Sequence, residues 1–383
     1  MPIARVLALC VPLAAVPLAA AAADCGCTAI TDASVQGRTG WRTDWTVQLP
    51  VDGARFTVTH VVVEDDFVIA QTSDGGVHLI DSAKGPTRGT IRWSRRVGVP
   101  YGSMHPASSS PTLVIVASDR EVHGLRKKDG TTTFTERMPD LIEASPTDVG
   151  GFIYVPNAGG TIERLPANRV VNPTPNVALS GEGSIRMAPL PFGQKAFGWV
   201  TTNGTVVSLQ PFAASWQRNM VQLPSPAAGR PIVIGDDLFV ATTVGDLVRL
   251  RLRRTSPQGL EPVWRMPLPG RPDGSMILDG ETLFVSLGLD GLVALDARTG
   301  GTLWRASGAS LRFREGMGLV AAGGGRVWCV DPVGRLSLLD AATGKRVGCV
   351  PLDGFTPAAV TGKPGRLVLA RPDGRLTSLS PAG

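Results

Sequence analysis

An aliphatic residue returns about every 43 residues along this chain, a period within the roughly 20–50 residues that mark repeat architectures. The returning residues are Ile80, Leu125, Leu165, Leu209, Leu250, Leu295, Leu339 and Leu379. Five places before each stands a turn residue: Gly75, Gly160, Gly204, Gly245, Asp290, Gly334 and Gly374, with Arg120 the exception. Gly and Asp tolerate the positive φ of a tight hairpin turn, so the spacing has a backbone cause. A unit of this size cannot bury its apolar face alone. It must stack against copies of itself.

The clearest unit runs from Leu283 to Trp304. It reads as a strand, an Asp-Gly turn, a second strand, an Asp-x-x-Thr-Gly turn, and a third strand opening on Trp. Trp45, Trp93, Trp216, Trp264 and Trp304 are read as one repeat position opening the outer strand of a unit. Burying a tryptophan there removes roughly 200 Å² from water, a gross gain of about 5 kcal/mol, so these five are expected to be structural wedges between units. Together the markers predict an all-β, eight-bladed β-propeller of four-stranded antiparallel blades. The expected blades are 53–97, 98–138, 139–180, 181–223, 224–268, 269–306, 307–351, and 352–380 completed by 41–50. The last unit lacks an outer Trp strand, whereas the chain begins with an unattached one, Asp44 to Leu49. That N-terminal strand is predicted to close the ring and hide an exposed edge.

The ends of the chain suggest where it works. Residues 1–23 read as a secretory signal: Arg5 supplies charge, Val6 to Leu18 an apolar run, and Ala21, Ala22 and Ala23 a small-residue cleavage site. Residues 24–40 form an N-terminal segment, and the propeller spans 41–383. Asp24 precedes Cys25, which suits lipid modification poorly. The reading is an exported monomer, periplasmic or outer-membrane associated, with no transmembrane segment in the mature chain and a lipid anchor on Cys25 as the alternative. The formal net charge of +6 is a mild excess. The runs Arg249 to Arg254 and Arg126 to Lys128 are read as solvated strand faces rather than nucleic-acid patches, with acidic lipid or polymer as the other option. Export permits disulfides among Cys25, Cys27, Cys329 and Cys349. One strand separates Cys329 from Cys349, about 9–10 Å, beyond the usual limit of about 7 Å, which leaves Cys25 or Cys27 as a partner for Cys349.

The segments Leu295-Asp-Ala-Arg-Thr-Gly-Gly-Thr-Leu-Trp304 and Leu339-Asp-Ala-Ala-Thr-Gly344 resemble the repeat of the pyrroloquinoline-quinone-type β-propellers. That family includes quinoprotein alcohol dehydrogenases and outer-membrane β-barrel assembly scaffolds of the BamB type. The motif is strong in blade six, good in blade seven, where Gly348 stands near the expected Trp, recognisable in blade one and eroded in blades two to five. The resemblance implies, for the dehydrogenases, a quinone held against a tryptophan and a ring of two adjacent cysteines, with calcium on carboxylate and amide groups. No adjacent Cys pair occurs here, so neither pyrroloquinoline quinone nor calcium is expected, and the chain is read as non-catalytic.

Other chemistry finds no purchase. There is no Gly-x-Ser-x-Gly elbow, no His-Glu-x-x-His motif and no phosphate-cradling loop, and the Asp-Gly pairs lack the oxygen series of a calcium loop. The four histidines form two pairs 45 apart, His60 with His105 and His78 with His123. His78 and His123 each stand two residues before a repeat aliphatic, which points them between blades as buried, hydrogen-bonded groups; a metal site would need a third ligand. Propellers bind at loops around the channel mouth. His105, Glu143, Arg186, Arg230 and Arg314 fall near the start of inner strands, with Phe313 and Phe355 beside them. Aromatics next to Arg suit a protein contact. The preferred reading is a protein-binding scaffold of the cell envelope, in the manner of outer-membrane barrel assembly. A degenerate quinone-dependent dehydrogenase and a carbohydrate or small-ligand binder stay open.

Overall fold

A computed structural model describes residues 41–381 apart from 65, 169–176, 193–195, 213–214, 254–258, 274–275, 307–318, 331–334, 353–355 and 359–366. Its strands form eight four-stranded antiparallel sheets. Blade one runs outward from the centre as Val58–Val63, Phe67–Thr72, Gly76–Asp81 and Ile91–Arg96. Blades two to seven follow in chain order at 108–137, 147–180, 190–222, 232–267, 276–306 and 319–351. First strands of most successive blades touch and wall the centre.

The eighth blade takes its fourth strand from the other end of the chain. Thr356–Ala358, Leu367–Ala370 and Arg375–Pro381 are completed by Trp41–Gln48, whose residues pair from Trp41 with Pro381 to Gln48 with Arg375. The ring is therefore closed by the N-terminal strand. The signal segment and residues 24–40 lie outside the described residues, as do Cys25 and Cys27.

The core is a set of wedges between blades. Every described cluster joins two neighbours; Leu79 with Trp93, Val114 and Leu125 ties blade one to blade two, and Leu283 with Phe239, Leu287 and Leu295 ties blade five to blade six. The repeat aliphatics sit in these wedges on the side of the preceding blade. Both faces of a blade are covered, which is why the middle strands are apolar on alternate sides rather than half-polar.

The fourth strands carry a second regularity. In blades one, two, five, six, seven and eight, the register against the third strand slips by one residue beside the repeat aliphatic. Just past each bulge come Trp93, Phe134, Trp264, Trp304, Gly348 and Trp45. The bulge bends the outer strand and leaves the preceding residue unpaired, so Val263, Leu303 and Val347 point into solvent. Each Trp leans across to the next blade and rests on a turn glycine. Trp93 Nε1 donates to Lys127 O at 2.9 Å, Trp264 Nε1 to Arg298 O at 3.1 Å and Trp304 Nε1 to Ala341 O at 2.8 Å. The glycines beneath, Gly130, Gly300 and Gly344, have φ of 71°, 80° and 69°.

Two expectations need correction. Trp216 pairs with Pro211, whereas the column position in blade four is Asn219, opposite Ser208. Trp216 therefore stands three residues short of the column, in a pair of strands that runs without a bulge from Thr205 opposite Gln222 to Phe212 opposite Ser215. The basic run of blade five is a solvated face only in part, with Arg253 exposed, Arg251 half-buried and Arg254 outside the described residues. Arg249 is buried, its guanidinium bonded to Asp237 at 2.7 Å and to the carbonyls of Ala297 and Arg298 in blade six. Arg251 shares Asp237 at 2.8 Å and Arg253 pairs with Glu261 at 2.9 Å. The alternation was real, but a propeller covers its third strands on both sides. Cys329, Ser337 and Cys349 lie on one rung, two inter-strand spacings of about 4.8 Å end to end, too far for a bond between the cysteines.

Candidate functional site

Strands alternate in direction, so the connections from a fourth strand to the next first strand emerge on the same face as the turns between second and third strands. That rim face holds the described candidates, on the connections 97–107, 138–146, 181–189 and 223–231. His105 is half-buried and its Nε2 donates to Ile142 O at 2.8 Å. Glu143, the next residue, is half-buried, and Arg186 Nε lies 3.7 Å from its carboxylate. His105, Glu143 and Arg186 thus make one continuous track across blades two to four. Arg230 stands apart, open to solvent on one side yet enclosed enough that desolvation lowers its pKa. Phe313, Arg314 and Phe355 lie outside the described residues.

The same face carries features that the residue pattern did not single out. Three non-glycine residues among those described have positive φ: Tyr101 at 60°, Asp119 at 48° and Glu182 at 59°. All three are on this face. Tyr101 is the strongest case, since a bulky residue pays for a left-handed backbone and this one is also 70% exposed. Its hydroxyl donates to Arg55 O at 2.8 Å, its ring lies 5.4 Å from Phe56, and Arg55 sits over Phe56 at 5.5 Å. Val99, Leu141, Val244 and Leu289 are exposed on the same face. Away from the outer strands, the only large exposed apolar residue described on the opposite face is Ile234. A sequence signal existed. Val244 and Leu289 occupy the tips of second-to-third-strand turns, where Gly, Asp or Asn is the usual choice.

The histidines behave as wedge residues. His78 and His123 are buried; their Nδ1 atoms meet Ser94 Oγ at 2.8 Å and Thr135 Oγ1 at 3.1 Å, each the cross-strand partner. Burial lowers both pKa values. Blade three puts Glu163 at the same repeat position, two before Leu165, where burial raises its carboxyl above 4.5. A carboxyl shifted upward loses native stability when it ionises, fully so at neutral pH and not at all well below its unfolded pKa. Glu163→Gln is therefore expected to raise the melting temperature at pH 7, with the gain vanishing towards pH 4 (about the unfolded pKa). Thermal melts across that range decide it; a gain independent of pH would refute the assignment. His60 is held low by burial and by the nearby His105, and its Nδ1 is buried without a partner.

Among the described residues no three His, Cys, Asp or Glu side chains converge to hold a metal ion. No described helix is long and apolar enough to cross a membrane.

Known proteins place this architecture. No curated protein matches the chain in sequence. Among solved structures, BamB from Moraxella catarrhalis superposes with a TM-score of 0.66 at 16% identity, covering 89% of this chain and 99% of that one. The computationally designed Ika8 protein gives 0.64 at 13%, covering 85% and 96%. Quinohemoprotein alcohol dehydrogenase ADHIIG from Pseudomonas putida HK5 gives 0.64 at 11%, covering 93% and 78%. At such identities these likenesses show the fold. The family described as outer membrane protein assembly factor BamB matches residues 28–289 and 289–382, and the chain belongs to that family.

Proposed function

We propose that this protein is an exported, non-catalytic scaffold of the cell envelope, periplasmic or outer-membrane associated, that receives a protein partner on its rim face and serves outer-membrane β-barrel assembly. One observation carries the reading: strained backbone and exposed apolar side chains gather on the rim face. Backbone strain persists where the surroundings over-determine it, and it collects at binding sites. Tyr101 is a rigid aromatic anchor whose ordering is already met by Arg55 and Phe56, the property that makes Tyr a frequent hot spot. Family membership supports the partner class, since the family bears the name of an assembly factor. Arg186 and Glu143 are only loosely paired and so remain available to a partner at little cost.

The test is site-specific photo-crosslinking in cells from position 141, with position 234 on the other face as control. A component of the barrel-assembly machinery is expected from position 141 and not from 234. Tyr101→Ala with Leu141→Glu should weaken capture at least about tenfold, as loss of two central contacts does. Equal adducts from both positions, or none from either, would sink the reading.

A further inference from the structure

On the face opposite the rim, a cavity of about 1040 Å³ runs along blade two between its neighbours. Its walls carry four cations, Arg92, Arg126, Lys127 and Lys128, against one carboxylate, Asp66, with the rings of Phe67 and Phe134. Arg92 is paired with Asp81, and Arg126 lies 3.4 Å from Asp129. The lysines differ. Neither has a carboxylate within 4.0 Å among the described residues; Glu64 and Asp148 act on Lys127 only from farther off. Lys127 is half-buried, with Nζ 4.4 Å from the centroid of Phe67. Burial holds its amine below the ordinary lysine range.

A partly desolvated ammonium with no carboxylate in contact is costly, and the face of one ring recovers only part of that cost. An arriving carboxylate would recover more. The site is also pre-ordered. Lys127 O accepts the Trp93 latch and Lys127 N bonds Thr112 O at 2.9 Å, so the backbone that presents both lysines is fixed before anything binds.

We propose that this cleft binds a short acidic segment of a partner polypeptide, its carboxylates on Lys127, Lys128 and the free donors of Arg92 and Arg126, and an apolar side chain against the two rings. The cations are spread over blades one and two rather than converging on one point. The volume stands at the top of the range of about 300–1,000 Å³ for small-molecule sites. Both favour an extended chain over a single phosphate or lipid headgroup. The site is independent of the rim, and together the two faces would let one propeller hold two chains at once.

The experiment is fluorescence anisotropy with a labelled peptide of alternating Glu and Phe and a control in which Gln replaces Glu. Saturable binding of the Glu peptide is expected. It should fall at least about tenfold, or 1.4 kcal/mol, for the Gln peptide and for Lys127→Glu with Lys128→Glu, and be unchanged in Tyr101→Ala on the rim. Lys127→Met with Lys128→Met, which keeps the chain over Phe67, should show the same loss with a wild-type melting profile. Equal binding of both peptides, or full binding by either double variant, overturns the proposal. So does binding of pyrophosphate or phosphatidylglycerol vesicles where the Glu peptide fails.

Discussion

Deletion of residues 41–50 is expected to abolish the cooperative unfolding transition rather than trim an end. The strand supplies Trp45 and Leu49, 7% and 2% exposed, to the wedge between blades eight and one, where they pack with Val63, Val68, Ile80, Val368 and Leu376. Asp44 bonds Arg88 at 2.8 Å and accepts from Ser380 Oγ at 2.8 Å. Burying two large apolar side chains contributes about 1.5–3 kcal/mol each, and a full strand ladder with a buried carboxylate is lost beside them. The sum reaches about 5 kcal/mol or more, the size of the whole stability of many domains. The deletion also bares the edge of Arg375–Pro381, an invitation to aggregate. Calorimetry of the truncated and full chains is the check. An unchanged melting temperature would show that the ring does not depend on this strand.

Gly130→Ala should cost far more than an alanine normally does. A Cβ there would lie 2.7 Å from Trp93 Cδ2, and φ is +71°. Left-handed backbone costs alanine about 1–2 kcal/mol and overpacking a further 1–3, so a loss of about 2–5 kcal/mol is expected. Gly235→Ala provides the comparison, because φ is +60° but nothing lies within 4 Å. It should cost about 1–2 kcal/mol, the backbone share alone. Denaturant unfolding of both variants isolates the contact between tryptophan and turn glycine. Equal losses would mean that the Trp ring yields without cost and the latch is loose.

The architecture was largely legible because a propeller writes its period into turn chemistry. Gly75, Gly160, Gly204, Gly245 and Gly374 all adopt the positive φ that their spacing implied. Blade number, strand order and closure followed. What failed to read was lateral. That Trp93 ends on Gly130 and Trp304 on Gly344 depends on how one sheet leans on the next, and spacings of 37 and 40 residues do not show it. Trp216 misled for a related reason, since the column of blade four falls on Asn219, opposite Ser208, and that register cannot be read from the spacing of the tryptophans. Arg249 looked solvated because alternate polarity means a wet face in an open sheet, and no sheet here is open on its middle strands. Of the rim, His105, Glu143 and Arg186 came from counting back along the repeat. Tyr101 did not, because its significance lies in a backbone angle and in Arg55 and Phe56, 46 and 45 residues away.

The closing strand also sets an order of events in time. Trp41–Gln48 is made first and satisfied last, since its partner Arg375–Pro381 leaves the ribosome more than three hundred residues later. Throughout synthesis its Trp45 and its backbone donors wait without a home, and the first blade lacks one of its two neighbours. Each inner wedge can form as soon as the next blade appears; the one between blades eight and one cannot. Loop closure over nearly the whole chain must precede that contact, which makes it the slow step and the window of greatest exposure to wrong partners. A nascent chain of this protein is a nearly complete ring that nothing yet holds shut.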